Sequence, residues 1–313
     1  MSSPRHHLLS LVVAALALAL GLGLGAGPVA EQDADASAAR TERLSGTVRD
    51  LQAAVAARKA SAALDARLLQ AMAEPLAAGR LTDRTVLVVA TPGARPATVR
   101  RVRGSLEQAG ATVTGVLSLT GTYVDPARAQ SPLEDLALRL VPPGVEFPDG
   151  STAIERVGIV LARATVQRPE GDEAPSTGTE RDAAEVIAGL DELQALTLDG
   201  DPGRRAELAV VVAGDAERPE SEDAVTGLLS GLDAGSRGVV LAGAGVGGAG
   251  PLSWVRTSAD DALDGVSTVD SIGRAPLTPA LVLALAEQAQ DGSGHYGLGR
   301  GAQAVLPDPG PQG

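Results

Sequence analysis

The sequence predicts an α/β protein. In it, an N-terminal transmembrane helix and a coiled-coil-like helix precede a Rossmann- or flavodoxin-like doubly wound domain. Three observations predict this order: an uncharged apolar stretch near the N-terminus, a long Ala- and Arg-rich segment with a narrow apolar seam, and short apolar runs that alternate with amphipathic segments. Such alternation is typical of a parallel sheet with helices on both faces. The expected domains are an anchor at 1–30, a helical spacer at 31–79, an α/β domain at 80–307 and a disordered tail at 308–313.

The apolar stretch is residues 8–27, LLSLVVAALALALGLGLGAG. About 20 apolar residues are enough to span a bilayer as a helix. Because Arg5 precedes the stretch and acidic residues follow it, we expect the rest of the chain to lie outside the cytoplasm. A cleaved signal peptide is the alternative, but Pro28 directly follows Gly27, where cleavage would be needed. We therefore expect a membrane anchor.

The spacer is expected to be one long helix over residues 38–78. Its apolar positions recur every three or four residues, as in a heptad seam, although Arg58 and Lys59 interrupt the pattern. These positions are Leu44, Val48, Leu51, Val55, Leu64, Leu68 and Met72. Pro75 and Gly79 are expected to end the helix. A narrow apolar seam on an exposed helix needs a partner, so we expect a homo-oligomer; the alternative is that the helix packs back on the domain.

The α/β domain begins with a buried strand at 85–90, a helix at 96–110 and a second strand at 111–121. Pro- and Gly-containing polar residues at 167–178 predict an exposed loop. Further helices are expected at 132–141, 152–166, 180–193, 222–235 and 278–292, and further strands at 195–200, 207–215, 253–258 and 266–272. Residues 237–250 are expected to be a strand that leads into a glycine run.

Composition excludes several functional classes. The net charge of −13, from 26 Lys and Arg against 39 Asp and Glu, disfavours a nucleic-acid partner because it repels phosphate. The chain has no cysteine, which excludes disulfides, iron–sulfur clusters and thiolate metal sites. It also lacks G-x-S-x-G, the nucleophile motif of the α/β hydrolases. We therefore predict that the protein is not an enzyme.

Two glycine triplets have the G-x-G-x-x-G spacing of a dinucleotide loop. They are Gly243, Gly245 and Gly248, and Gly292, Gly294 and Gly297. A dinucleotide loop leaves a strand and opens a helix. The second triplet follows a helix, and the first is expected to precede a strand, so neither is predicted to bind a cofactor. A nucleotide-dependent enzyme that uses the first triplet is the alternative. Asp270, at a strand end, is expected to cap a turn or helix, with a catalytic role as its alternative.

Three segments carry a family resemblance: STVDSIG at 267–273, LTPALVLALAEQ at 277–288 and SGHYGLGRGAQAVLP at 293–307. With the N-terminal stretch and TVLVVATPGA in the same order, the chain resembles the actinobacterial, mycobacterial-type copper transporter family of outer-membrane-associated copper transport proteins. The resemblance implies a role in copper efflux that keeps intracellular copper low. It also implies copper as the transported ion and association with the outer membrane. An anchored, self-associating scaffold without transport activity is the alternative.

His295 is the candidate copper ligand. Copper prefers thiolate and thioether sulfur and also accepts imidazole. The chain has no Cys, Met1 is the start, Met72 lies in the spacer, and His6 and His7 flank the anchor. This leaves His295 as the metal-ligand prediction in the α/β domain. Its alternative is a loop histidine whose neighbouring glycines permit a tight turn.

Overall fold

The chain forms an α/β fold around a seven-stranded sheet in the part that the structure, a computed structural model, describes. The described residues are 31–124, 126–142, 145–168, 179–201, 203–214, 222–243, 245, 250–258, 261–273 and 278–308. The helices are α1 (Glu31–Ala77), α2 (Pro96–Gln108), α3 (Gly121–Val124), α4 (Pro126–Arg139), α5 (Ala153–Thr165), α6 (Glu180–Glu192), α7 (Glu222–Gly235), α8 (Pro251–Thr257) and α9 (Thr278–Gln288). The strands are β1 (Thr85–Ala90), β2 (Thr112–Leu119), β3 (Leu196–Gly200), β4 (Leu208–Ala213), β5 (Gly238–Gly243), β6 (Ser267–Val269) and β7 (His295–Tyr296).

The predicted transmembrane helix has to be corrected. Within the described residues, no helix combines the length and the apolar character needed to cross a membrane. The longest one, α1, carries acidic and basic side chains along its length. The fold class that the structure supports is therefore α/β, without a transmembrane helix in the described residues; residues 8–27, on which the predicted helix rests, lie outside them.

The sheet has the strand order β3-β2-β1-β4-β5-β6-β7. All neighbours are parallel except β3, which pairs antiparallel with β2. Strands β2 and β3 are added on one side of β1, and β4 to β7 are added on the other. The strand order therefore reverses next to β1, as in Rossmann-type folds. Helices α2 and α9 pack on one face, and α4 to α7 pack on the other. Both faces are thus covered, which explains why β4 and β5 are buried along their whole length.

Helix α1 begins at Glu31, earlier than the expected residue 38, and ends close to the expected boundary. Pro75 lies inside it, and the helix continues to Ala77. Gly79 then takes a left-handed φ of +71°, which glycine adopts without steric cost. The described residues divide into two compact units within this helix, between Asp65 and Ala66.

Helix α8 corrects a second prediction. We expected a strand at 253–258, but Pro251–Thr257 is helical and buries Val255 in the core. Proline is pre-organised for the first turn of a helix, and this signal outweighs the β-propensity of Trp and Val. A helix, instead of the expected strand, therefore follows the first glycine triplet. Residues 244 and 246–249 of that triplet's loop lie outside the described residues.

Helices α5 and α7 approach so closely that their backbones touch. A Cβ atom on Gly158 would lie 2.7 Å from the carbonyl carbon of Gly227, and one on Gly231 would lie 2.8 Å from Cα of Ile159. Helix α5 is held at its start by a capping box, in which Thr152 and Glu155 each bond the other's backbone amide. Glycine is therefore needed where these two helices cross.

Tyr123 supplies a test of the core. It is fully buried, and its hydroxyl has no hydrogen-bond partner among the described residues. An orphaned buried hydroxyl costs about 1–3 kcal/mol, so Tyr123→Phe is expected to raise the free energy of unfolding by about 1 kcal/mol. Tyr296→Phe is the control, because it breaks a 2.5 Å bond to Glu287 and should destabilise. Urea unfolding measures both, and a destabilised Tyr123→Phe would contradict the orphaned hydroxyl.

Candidate functional site at the carboxyl edge of the sheet

His295 lies in β7, the short strand at one edge of the sheet. Strand β7 pairs parallel with β6, so that Thr268 lies opposite His295 and Val269 opposite Tyr296. Asp270 follows β6 directly, at the carboxyl end where α/β sheets place their binding residues. The fold therefore brings the two residues singled out in the sequence, His295 and Asp270, to the same edge.

The Asp270 carboxylate is buried and accepts several hydrogen bonds. The Leu298 amide and the Ser271 hydroxyl donate to Oδ1 at 2.8 and 2.7 Å. The Gly299 amide and Arg256 Nη1 donate to Oδ2, both at 2.9 Å. Burial by itself would raise the pKa of Asp270, but these donors outweigh it and hold the pKa below its usual value. Asp270 thus caps the turn after β7, as expected, and its oxygens are occupied.

Arg256, on α8, is the cation of this site. Its side chain is 3% exposed and that of Asp270 is 4% exposed, so the pair is shielded from solvent. Its Nε donates to Thr268 Oγ1 at 2.8 Å, and Nη2 donates to the Tyr296 carbonyl at 2.7 Å. Nη1, besides its bond to Asp270, donates to the Arg300 carbonyl at 3.1 Å. One guanidinium therefore joins α8, β6 and the segment after β7.

Two glycines of the second triplet, and Gly299 next to it, serve this packing. Gly297 has a φ of +126°, and a Cβ atom there would collide with the Asp270 carboxylate. A Cβ on Gly299 would lie 2.8 Å from Asp270 Oδ2, and one on Gly294 would collide with the Tyr296 hydroxyl. The sequence GHYGLG thus allows the backbone to wrap closely around Asp270.

The His295 imidazole is half-buried beside this network. Its Nδ1 lies 3.2 Å from Thr268 Oγ1, the oxygen that also accepts from Arg256. Burial, and secondarily the Arg256 charge, lower the pKa of His295, so the neutral ring predominates at neutral pH. In the tautomer whose Nδ1–H donates to Thr268 Oγ1, Nε2 presents its lone pair; in the other tautomer the Thr268 hydroxyl donates to Nδ1.

Tyr296 points away from His295, because successive strand residues face opposite sides of a sheet. Its hydroxyl donates to Glu287 Oε2 at 2.5 Å, and burial together with this carboxylate raises its pKa. The two neighbouring aromatic side chains therefore have separate roles. Tyr296 links β7 to α9 through its hydrogen bond to Glu287. His295 lies next to the Arg256 network.

Metal ligands are sparse in the part of the chain that the structure describes. No three His, Asp or Glu side chains there come close enough together to hold a metal ion. Of the other candidates, His6, His7 and Met1 lie outside the described residues, and Met72 lies in α1. Within the described residues, the site therefore presents a single imidazole and no cluster of metal ligands.

Comparison with known proteins identifies the family. The family described as "Copper transport outer membrane protein, MctB" matches residues 1–307. The chain belongs to the MctB family. It is 29% identical over 236 residues to the copper transporter MctB of Mycobacterium bovis and of Mycobacterium tuberculosis, with 72% of this chain and 73% of the relative covered. It is 28% identical over 241 residues to that of Mycobacterium leprae, covering 72% and 74%. The family resemblance seen in the sequence is confirmed.

Arg256 is the site residue that sequence reasoning missed. It was expected to lie in a short strand, and its partners are 12 to 44 positions away in the chain. A single arginine in a chain with 26 basic residues carries no local sign of burial. The one usable signal is Pro251, which marks the start of the helix that carries it.

Proposed function

We propose that this protein takes part in copper transport at the cell envelope, in association with the outer membrane, and helps to keep intracellular copper low. The observation that carries the proposal is the MctB family match across residues 1–307. The copper transporters of mycobacteria that it resembles are covered over nearly three quarters of their length. A transporter of ions, and not an enzyme, is the function that this similarity supports.

His295 is the residue that we propose meets copper. Imidazole is a suitable ligand for copper, and it binds in the neutral form that this site favours. The Thr268 hydroxyl beside Nδ1 supports the ring orientation that leaves Nε2 for the ion. Because a single imidazole binds the ion weakly, copper can dissociate readily after it has bound.

The first test is cell-associated copper in a deletion strain with and without added copper. We expect copper to accumulate when the gene is absent and to return to normal with the intact gene. His295→Gln, which keeps a polar side chain of similar size, is expected to lose at least half of this rescue. Gln303→Ala is the control, because the hydrogen bond that Gln303 Oε1 accepts comes from the backbone amide of His295 and does not involve the ring.

The outcomes separate two claims. Unchanged copper in the deletion strain, with the protein expressed in the parent, would overturn copper transport. Full rescue by His295→Gln would overturn the role of His295 alone. Equal loss in both variants would mean that the tail structure matters and that the imidazole does not.

A second candidate function is that of a self-associating scaffold in an envelope complex. It is favoured by the exposed apolar side chains of α1, where Leu44 and Leu51 are each 60% exposed. A scaffold without transport activity predicts normal copper in the deletion strain together with a loss of complex assembly. The copper measurement above therefore distinguishes the two candidates.

A further inference from the structure

Helix α1 presents a narrow apolar face near its start, which we call the N-terminal seam. It consists of Leu44, Val48, Leu51 and Val55, which are 60%, 48%, 60% and 51% exposed. Their spacing alternates between four and three residues, so they line one side of a single helix. Isolated exposed apolar residues are ordinary on protein surfaces, but a row on one helix face marks a contact surface.

The seam ends after Val55. Arg58 occupies the next position that would face a partner. Leu64 and Leu68 are also exposed, at 64% and 63%, but Leu64 lies nine residues beyond Val55. At 3.6 residues per turn this is about two and a half turns, which places Leu64 on the opposite side of the helix. Leu64 therefore lies off the seam, whereas Leu68, at position g of the continued heptad, flanks it beyond its end.

The residue types in the seam point to a second copy of the same chain. In heptad terms, Val48 and Val55 take position a, and Leu44 and Leu51 take position d. A β-branched residue at a with leucine at d favours two parallel strands. In a parallel pair in register, each valine of one copy contacts the same valine of the other, and each leucine contacts the same leucine. Antiparallel pairing would place valine against leucine.

Charge distribution agrees with self-pairing. The positions e and g that flank the seam are uncharged: Ser45, Thr47, Gln52 and Ala54. Charges lie at b and c, further from the seam: Glu42, Arg43, Arg49 and Asp50. Position g of one copy meets position e of the other in a parallel pair. Two identical chains therefore bring no like charges together along the seam.

The two hydroxyl groups that flank the seam are already bonded within the helix. The Ser45 hydroxyl donates to the Glu42 carbonyl at 2.8 Å, and the Thr47 hydroxyl donates to the Arg43 carbonyl at 3.0 Å. Both bonds lie within the helix itself. Pairing along the seam can thus exclude water from the apolar side chains without leaving these hydroxyls unsatisfied.

We propose that residues 41–55 form a parallel, in-register two-stranded coiled coil with a second copy of this chain. This pairing is independent of copper transport, and failure of either proposal leaves the other standing. The seam covers just over two heptads, so the pair is held by few layers and depends strongly on each leucine.

The absence of cysteine from the natural sequence allows a direct test. Leu51→Cys in the full-length chain is expected to form a disulfide-linked dimer under mild oxidation, because position d residues face each other across the pair. Ala53→Cys, at the outward position f, is the control and should remain monomeric on a non-reducing gel. Equal cross-linking of the two variants, or none at Leu51→Cys, would overturn the proposal.

Mixed cysteine variants test the direction. Antiparallel pairing centred on the seam would bring residue 44 of one chain to residue 55 of the other. Differently tagged Leu44→Cys and Val55→Cys chains are therefore expected to form disulfides only with their own kind. Cross-linking between the two variants would reject the parallel arrangement.

A matched pair of double variants tests the energetics. Leu44→Ser/Leu51→Ser is expected to weaken dimerisation of the full-length chain roughly tenfold or more, by analytical ultracentrifugation. Leu64→Ser/Leu68→Ser changes the same residue types beyond the C-terminal end of the seam and should leave dimerisation unchanged. Circular dichroism checks that both variants keep their helix content. A larger effect of the second pair would assign the contact to the part of α1 that follows the seam and would overturn the proposal.

Discussion

Gly227→Ala is expected to lower the free energy of unfolding by about 1–2 kcal/mol or more. Helices α5 and α7 cross with their backbones in contact, and a Cβ atom at Gly227 would collide with Cα of Glu155 and lie 2.9 Å from its carbonyl oxygen. Backbone cannot move aside as a flexible side chain can, so overpacking of about 1–3 kcal/mol or more results. The usual gain of about 0.5–1 kcal/mol for Gly→Ala in a helix offsets only part of it.

Gly104→Ala is the matched control for this prediction. Gly104 also lies inside a helix, α2, but a Cβ atom there would have nothing within 4 Å. Gly104→Ala is therefore expected to raise the free energy of unfolding by about 0.5–1 kcal/mol, from helix propensity alone. Urea unfolding at equilibrium measures both variants. If Gly227→Ala were as stable as Gly104→Ala, the α5–α7 contact would be looser than the structure indicates.

Arg256→Met is expected to lower the free energy of unfolding by about 3–5 kcal/mol. This is the largest effect of a single substitution that we predict. Removing one partner of a buried ion pair leaves the other charge uncompensated. Here the variant leaves the buried Asp270 carboxylate without its cation and strips the Tyr296 carbonyl of a donor. Adding Asp270→Asn to the variant should recover part of the loss, because it removes the stranded charge.

Arg103→Met is the control, since Arg103 also pairs with carboxylates but in solvent. Its side chain is 44% exposed, and its partners are Glu107 and Asp199. Exposed pairs contribute about 0.2–1 kcal/mol, so this variant should remain close to the natural protein. Equal losses in the two arginine variants would show that burial of the Arg256–Asp270 pair does not matter.

The deficit of Arg256→Met should depend on pH in a defined direction. The hydrogen bonds and Arg256 hold the pKa of Asp270 below its usual value despite burial. Its stabilising contribution is therefore present above the unfolded pKa, about 3.9, and is lost as the pH falls through the lower folded value. The deficit of the variant should be complete at neutral pH and shrink in acid. A deficit that grows on acidification would contradict this account.

The sequence by itself determined the elements of the domain. The apolar run TVLVVA specified a buried strand, and the 3.6-residue periodicity of 152–166 specified α5 despite its β-branched residues. Local signals of this kind can be read from the sequence because burial of one face of a helix or strand sets the spacing of its apolar residues. The family resemblance came from the same source, through segments around Asp270 and His295.

Other features depended on contacts that no local pattern contains. Strand β7 is two residues long, too short for any periodicity, and exists because His295 and Tyr296 pair with β6. Helix α8 resembles a strand by composition. Its helical form buries Val255, and the Arg256 that it carries is bonded to Asp270.

The second glycine triplet separates most clearly what the sequence determined from what the tertiary structure decided. The sequence marked Gly292, Gly294 and Gly297 as unusual and ruled against a dinucleotide loop from their position after a helix. Only the tertiary structure decided what two of them are for: Gly297 makes room for the Asp270 carboxylate, and Gly294 makes room for the Tyr296 hydroxyl. The sequence determines which backbone conformations are allowed. Packing of distant residues around a buried charge decides which of them is used.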